Sequence, residues 1–150
     1  MTHAVAMAKR KKHVVGLVLC GLDRFREINR MFGQEAGDLL LKEVADRLKK
    51  CLREVDTAAR LSGDEFTCLL EGINSRADME TVGDRILKAF ARPWSIEKQE
   101  TSVTVSLGLV VYPLDGQEIN DLFARAQAAM DSAKEAGGNR YCFLFVPSAA

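Results

Sequence analysis

The sequence predicts an α+β domain in which a mixed β-sheet carries helices packed against it. Three observations lead there. From Val103 to Val111, apolar side chains alternate with Ser102, Thr104, Ser106 and Gly108, the period-2 pattern of a strand. Val14–Cys20 is an unbroken apolar run of the kind buried on both faces of a sheet. Leu41, Val44, Ala45, Leu48 and Leu52 recur at the spacing of one helix face. A chain of 150 residues, 47% apolar and 28% charged, is sized and balanced for one domain with its own core.

The elements follow in order. Ala4, Met7 and Ala8 line one side of a helix end, and Lys9-Arg10-Lys11-Lys12-His13 reads as its solvated basic terminus. After the first strand, Asp23 is placed to cap a helix beginning at Arg24. Phe25, Ile28 and Phe32 give that helix its apolar spacing, and Gly33 ends it. A second, amphipathic helix runs to about Arg53. Thr57–Leu61 and Phe66–Glu71 read as strands joined by Ser62-Gly63-Asp64-Glu65, a hairpin length. Met79, Val82, Ile86 and Phe90 mark a third helix, stopped by Pro93. Leu122, Phe123, Ala126, Met130 and Ala133 mark the last, which ends at Gly137-Gly138. Tyr141–Val146 closes the pattern as a strand.

Composition excludes several classes. Lys+Arg and Asp+Glu are equal at 21, so a duplex-DNA binder, which needs a basic excess against phosphate, is disfavoured, and no nucleic-acid polymer is expected as partner. No apolar run approaches the ~20 residues of a membrane span, so this segment is expected to make no membrane contact. The opening residues lack the basic-then-apolar order of a signal peptide. Cys20, Cys51, Cys68 and Cys142 form no Cys-x-x-Cys pair and lie in or beside apolar runs, which reads as reduced, mostly buried thiols.

Two stretches could carry chemistry. Asp64 and Glu65 are adjacent carboxylates at a tight turn; such residues point to opposite faces of a strand, so one can hold Mg²⁺ while the other faces elsewhere. A solvated turn has the same composition. The segment from Gly21 to Asp38 collects Asp23, Arg26, Asn29 and Asp38 around a glycine-punctuated bend. An amide and a carboxylate there could read a guanine edge, and a capped helix pair facing water accounts for them equally.

Taken together, the stretches resemble the GGDEF domain family, the diguanylate cyclases of bacterial cyclic-di-GMP signalling. Its signature is matched by Ser62-Gly63-Asp64-Glu65-Phe66. Its upstream motif is matched from Gly21 through Asn29 to Gly37-Asp38, its Ser-x-Gly strand by Ser106-Leu107-Gly108, and its tail by Ala129-Met130 through Lys134 to Gly137-Gly138-Asn139-Arg140. The similarity spans about residues 10–145. The family's opening segment has no counterpart, so residues 1–150 are expected to be a single GGDEF domain from a larger signalling protein. Tyr112-Pro113 through Gly116 is similar to GGDEF domains that precede a phosphodiesterase-type EAL domain.

The resemblance implies a central, mostly antiparallel five-stranded sheet of the nucleotide-cyclase and polymerase-palm type. It also implies a reaction. Two domains face each other as a homodimer, each holding one GTP, and the 3′-hydroxyl of each nucleotide attacks the α-phosphate of the other. Cyclic di-GMP and two pyrophosphates result, with Mg²⁺ or Mn²⁺ as cofactor. Carried over by position, Asn29 and Asp38 would read guanine, and Arg26 and Lys134 would hold phosphates. Asp64 would ligate metal, Glu65 would lie at the metal and 3′-hydroxyl, and Leu22 would offer its backbone carbonyl to metal. Arg53 and Asp56, with Arg85 from the next helix, would form an inhibitory site for cyclic di-GMP. The setting implied is the bacterial cytoplasm, as part of a soluble or membrane-anchored protein.

This sequence departs from the family in places that bear on activity. Gly21 stands where the family has a metal-binding Asp, which removes one of few anionic ligands. Gly138 stands where the tail has a phosphate-contacting arginine. Arg30 and Gln34 replace the usual Asp and His, and Ser62 replaces the first signature glycine. The reading is therefore a domain of impaired cyclase chemistry that keeps GTP or cyclic-di-GMP binding. A working cyclase when dimerised, and an α/β partner-binding module without nucleotide, are the alternatives.

Overall fold

Strand β1, Val15–Leu22, is the centre of the molecule and is buried along its whole length. The computed structural model describes residues 14–143, so the helix end expected over the first thirteen residues lies outside the described residues. Helix α1 (Phe25–Phe32) and helix α2 (Gln34–Lys50) follow, separated by Gly33, whose φ of 92° only glycine adopts freely. Strands β2 (Thr57–Ser62) and β3 (Glu65–Glu71) form the expected hairpin. Helix α3 (Arg76–Ala91) leads to a small separate hairpin of β4 (Trp94–Ile96) and β5 (Gln99–Thr101). Strand β6 (Val105–Tyr112), helix α4 (Ile119–Glu135) and strand β7 (Arg140–Phe143) complete the chain.

The main sheet has five strands in the order β2-β3-β1-β6-β7. The first four pair antiparallel and β6–β7 pair parallel, so the sheet is mixed and mostly antiparallel, as the resemblance implied. Its two faces bury different sets. Val18, Cys20, Leu22, Phe66, Cys68 and Leu107 face the apolar sides of α2 and α3. Leu17, Leu19, Leu69 and Val110 face Leu122, Ala126 and Met130 of α4. Each such fully buried aliphatic side chain contributes ~1.5–3 kcal/mol.

Several boundaries differ from the sequence reading, each for a local reason. Helix α2 stops at Lys50 instead of about Arg53, although Cys51 and Leu52 still pack on the core; the apolar spacing therefore outlasts the helix. The alternating stretch from Val103 forms β6 only from Val105, and that strand is buried on both faces. Its small residues are small because α4 lies on them. A Cβ at Gly108 would sit 2.0 Å from the Ala126 carbonyl oxygen, a backbone atom that cannot give way. Beyond Phe143, the predicted last strand lies outside the described residues.

Candidate functional site

The close seat of α4 decides what reaches the end of β1. Ala126, Ala129 and Ala133 are fully buried small residues, and they let the helix approach Gly108. One turn after Ala129 and Met130, Lys134 reaches the end of β1. Its Nζ donates to the Leu22 carbonyl at 3.1 Å and lies 4.0 Å from Asp23 Oδ1. A lysine in the last turn also meets the negative end of the helix dipole.

Gly21 pairs with Glu65 across β3 and with Ser106 across β6, so the three share the α4 face of the sheet. A Cβ on Gly21 would lie 2.9 Å from both Lys134 Cε and Met130 Sδ, and 3.2 Å from Lys134 Nζ. The space of the missing side chain is thus filled by two flexible side-chain ends. Glu65 is half-buried, and burial pushes its carboxyl above the usual range; Asp64 and Asp131 push the same way, while Lys134 opposes them. The hairpin turn is held by Leu22 N donating to the Asp64 carbonyl at 3.2 Å and by Arg60 Nε donating to the Gly63 carbonyl at 2.9 Å.

Asp23 does not cap α1, contrary to the sequence reading. Arg24 occupies the cap position with φ 58°, and no side chain bonds the helix end there. Asp23 instead accepts from Thr104 Oγ1 and Ser106 Oγ, both at 2.7 Å, and from the Asn139 backbone N–H at 2.9 Å. Three segments distant in sequence converge on one carboxylate whose side chain is 12% exposed. Gly138 belongs to the same cluster: at φ 76°, its Cβ would lie 2.7 Å from Asp23 Oδ2. At both glycines that depart from the family pattern, a neighbouring side chain therefore lies where an added Cβ would stand. Arg140, near the lost tail arginine, donates to the Gly138 carbonyl at 3.0 Å.

The α1–α2 packing sets Asn29 against Gly37, the residue before Asp38. Asn29 Oδ1 is buried, lacks a hydrogen-bond partner, and rests on Gly37, where a Cβ would sit 1.8 Å away. Asp38 follows directly and is exposed, as is Arg26 on α1. A cavity of about 550 Å³ opens between α1 and the β4–β5 hairpin, lined by Asp23, Arg24, Glu27 and Asn139 among others. It includes none of Asn29, Asp38, Asp64, Glu65 or Lys134.

Arg53 and Asp56 meet each other. Arg53 Nε and Nη2 donate to the two Asp56 oxygens at 3.1 and 3.0 Å, and Arg53 also bonds the Glu71 carbonyl. The Asp56 side chain is only 4% exposed and accepts from the Arg53 and Glu71 backbone N–H groups. Arg85 donates to the Cys51 carbonyl at 3.0 Å and is apart from the shallow concavity of about 230 Å³ beside Arg53 and Asp56. The residues that sequence reasoning missed are Thr104, Ser106 and Met130, together with the true role of Asp23. The alternating hydroxyls Thr104 and Ser106, at the start of β6, were the available signal, since a buried hydroxyl needs a partner.

A five-stranded mixed sheet with a carboxylate-bearing hairpin turn beside its central strand is the architecture that the resemblance implied. The chain belongs to the GGDEF domain family: the family model described as "Diguanylate cyclase, GGDEF domain" matches residues 1–140. It is 38% identical over 144 residues to the bifunctional diguanylate cyclase/cyclic di-GMP phosphodiesterase MucR of Pseudomonas aeruginosa, covering 96% of this chain and 21% of MucR. It is 32% identical over 139 residues to diguanylate cyclase A of Treponema denticola, covering 92% of this chain and 37% of that protein. The chain thus spans about a fifth to about a third of these curated relatives' length. The crystal structure of the GGDEF domain of YfiN, or TpbB, from P. aeruginosa superposes with a TM-score of 0.92 at 30% identity, covering 96% of this chain and 90% of that one. Among the described residues, no helix is long and apolar enough to cross a membrane.

Proposed function

We propose that this chain is a GGDEF domain of bacterial cyclic-di-GMP signalling that binds guanine nucleotide and has lost most of its cyclase rate. The observation that carries the reading is the contrast between two parts of one site. Gly37 leaves room for the Asn29 amide to rest beside Asp38, keeping an acceptor-donor pair for guanine. Gly21 leaves the end of β1 without a carboxylate.

In this reading Asn29 and Asp38 hold the base, Arg26 and Lys134 the phosphates, and Asp64 and Glu65 flank the 3′-hydroxyl. In the family reaction that oxygen attacks the α-phosphate of the facing GTP and pyrophosphate leaves. A divalent ion, when bound, would neutralise charge on the phosphates. The donors present here do not fit one as they stand: Asp64 and Glu65 are the only carboxylates at the turn, and Lys134 already holds the Leu22 carbonyl. Among the described residues, no group of three or more His, Cys, Asp or Glu could hold a metal ion.

Arg53 and Asp56 are proposed to bind cyclic di-GMP, the Arg53 fork gripping phosphate or stacking on guanine, with Arg85 of α3, bonded to the Cys51 carbonyl, as the second arginine. The partners that follow are GTP, cyclic di-GMP, a second GGDEF domain and an attached EAL-type phosphodiesterase domain, in the cytoplasm. Similarity to a relative that names both activities supports the last of these.

The test is a GTP-to-cyclic-di-GMP time course with Mg²⁺ and with Mn²⁺, run on wild type and Gly21→Asp, each fused to a constitutive dimeriser. Product is expected at least about tenfold faster from Gly21→Asp, the scale of one restored charge contact. Product formed by wild type as fast as by Gly21→Asp would overturn the impaired reading and make this an active cyclase, and no product from either would remove Gly21 as the cause of the loss.

A further inference from the structure

We propose that the Lys134 ammonium is the resident cation of this site, and that the domain binds nucleotide phosphates through it without a divalent ion. The inference rests on the guanine-nucleotide reading above and concerns how that nucleotide's charge is met.

Three observations converge on it. The volume beside Gly21 is filled by Lys134 Cε and Nζ and by Met130 Sδ, so the vacated side-chain position is occupied from α4. Lys134 Nζ has the surroundings of a bound cation: the Leu22 carbonyl at 3.1 Å, the Asp23 carboxylate at 4.0 Å, and a charge interaction with Glu65. The filler is also chemically wrong for a hard ion. A thioether is a soft ligand, and Mg²⁺ takes oxygen.

Charge balance gives the arrangement its logic. With a carboxylate at position 21 the turn would hold one more negative charge and call for a divalent ion. Without it, one ammonium beside Asp23 and Glu65 supplies local positive charge. A divalent ion entering here would have to displace Lys134 from the Leu22 carbonyl and would then sit against a like charge within a few ångströms. The Lys134 side chain is 36% exposed, and an ammonium has three donors, so donors remain for phosphate oxygens after Leu22 is satisfied. The close seat of α4 on Gly108 keeps the lysine there.

The proposal separates from the loss of rate in a direct way. Calorimetric titration of the domain with GTP is run in EDTA and again in excess Mg²⁺. Wild type is expected to bind with affinities within about twofold of each other, and Lys134→Met to bind about tenfold more weakly in EDTA, as befits one charged hydrogen bond. In parallel, Mn²⁺ is added to the nucleotide-free domain and the amide resonances of Leu22, Asp64 and Glu65 are followed. They are expected to stay sharp in wild type and to broaden in the Gly21→Asp/Lys134→Met double variant. Binding by wild type that needs Mg²⁺ by more than about tenfold, or Mn²⁺ broadening at those amides with Lys134 present, overturns this inference alone. Absence of GTP binding in both buffers overturns it together with the nucleotide reading. The wild-type arms decide the matter even where the double variant folds poorly.

Discussion

Removing the Asp23 carboxylate tests whether this residue is a helix cap or the knot that ties β1, β6 and the turn after α4. Its oxygens accept three hydrogen bonds, from Thr104, Ser106 and the Asn139 backbone. Hydrogen bonds to a charged group contribute roughly 1.5–3 kcal/mol each, and they are not additive around one carboxylate. Ser106 is fully buried, so its hydroxyl is stranded when the carboxylate goes. Asp23→Ala is therefore expected to lower unfolding stability by about 3–4 kcal/mol, or about 10 °C in Tm for a chain of this length. Asp23→Asn keeps an acceptor for Thr104 and Asn139 and an amide for Ser106, and should cost only about 1 kcal/mol. The informative variant is Asp23→Ser. Serine is as good a helix cap as aspartate but too short to hold three segments. It should be as destabilised as Asp23→Ala in urea denaturation followed by circular dichroism. Stability of Asp23→Ser within about 0.5 kcal/mol of wild type would refute the convergence and restore the cap.

Three further outcomes follow from the geometry. Gly37→Ala places a methyl in the Asn29 amide and should weaken GTP binding by about tenfold in calorimetry while the far-ultraviolet dichroism is unchanged; undiminished affinity would remove Asn29 from the base site. Arg53→Ala should abolish cyclic-di-GMP binding, and retained binding would reduce the Arg53–Asp56 pair to a tie between the α2 exit and β3. Cys20, hydrogen-bonded to Cys68 and buried, and Cys51, buried, have thiols held above their ordinary 9.0. The native state therefore keeps protons that the unfolded chain releases, and the associated stability, full below pH 9.0, is lost as pH rises through the raised native values. In thiol titration of the native protein Cys142, partly exposed, should react well before Cys20, Cys51 and Cys68; rapid reaction of all four would contradict the burial.

Local patterning carried much of the fold. Period-2 alternation, helical spacing and the turn residues at Gly33, Gly63 and Gly137-Gly138 were legible because each is a backbone preference or a one-sided burial written into consecutive residues. The apolar run of β1 foretold a strand covered on both sides. Misreadings arose where burial and secondary structure part company. Leu52 is apolar at helical spacing yet lies past the helix, since packing continues after the hydrogen-bond ladder has ended. The small residues of β6 mark a closely seated helix, which alternation alone does not announce.

The ordered motifs in the chain, from Gly21 to Asp38, at Ser62–Phe66 and through the tail, were enough by themselves to determine the family and the residue types at the site, because those are properties of sequence. What the missing side chains at Gly21 and Gly138 mean was decided only in three dimensions. Lys134 is 113 residues from Gly21, and Asp23 is 115 from Gly138. Nothing local announces that an ammonium fills the first space and a carboxylate the second. Those neighbours meet because α4 seats its alanines on Gly108 and β7 turns back beside β6, and long-range packing of that kind has no signature in consecutive residues.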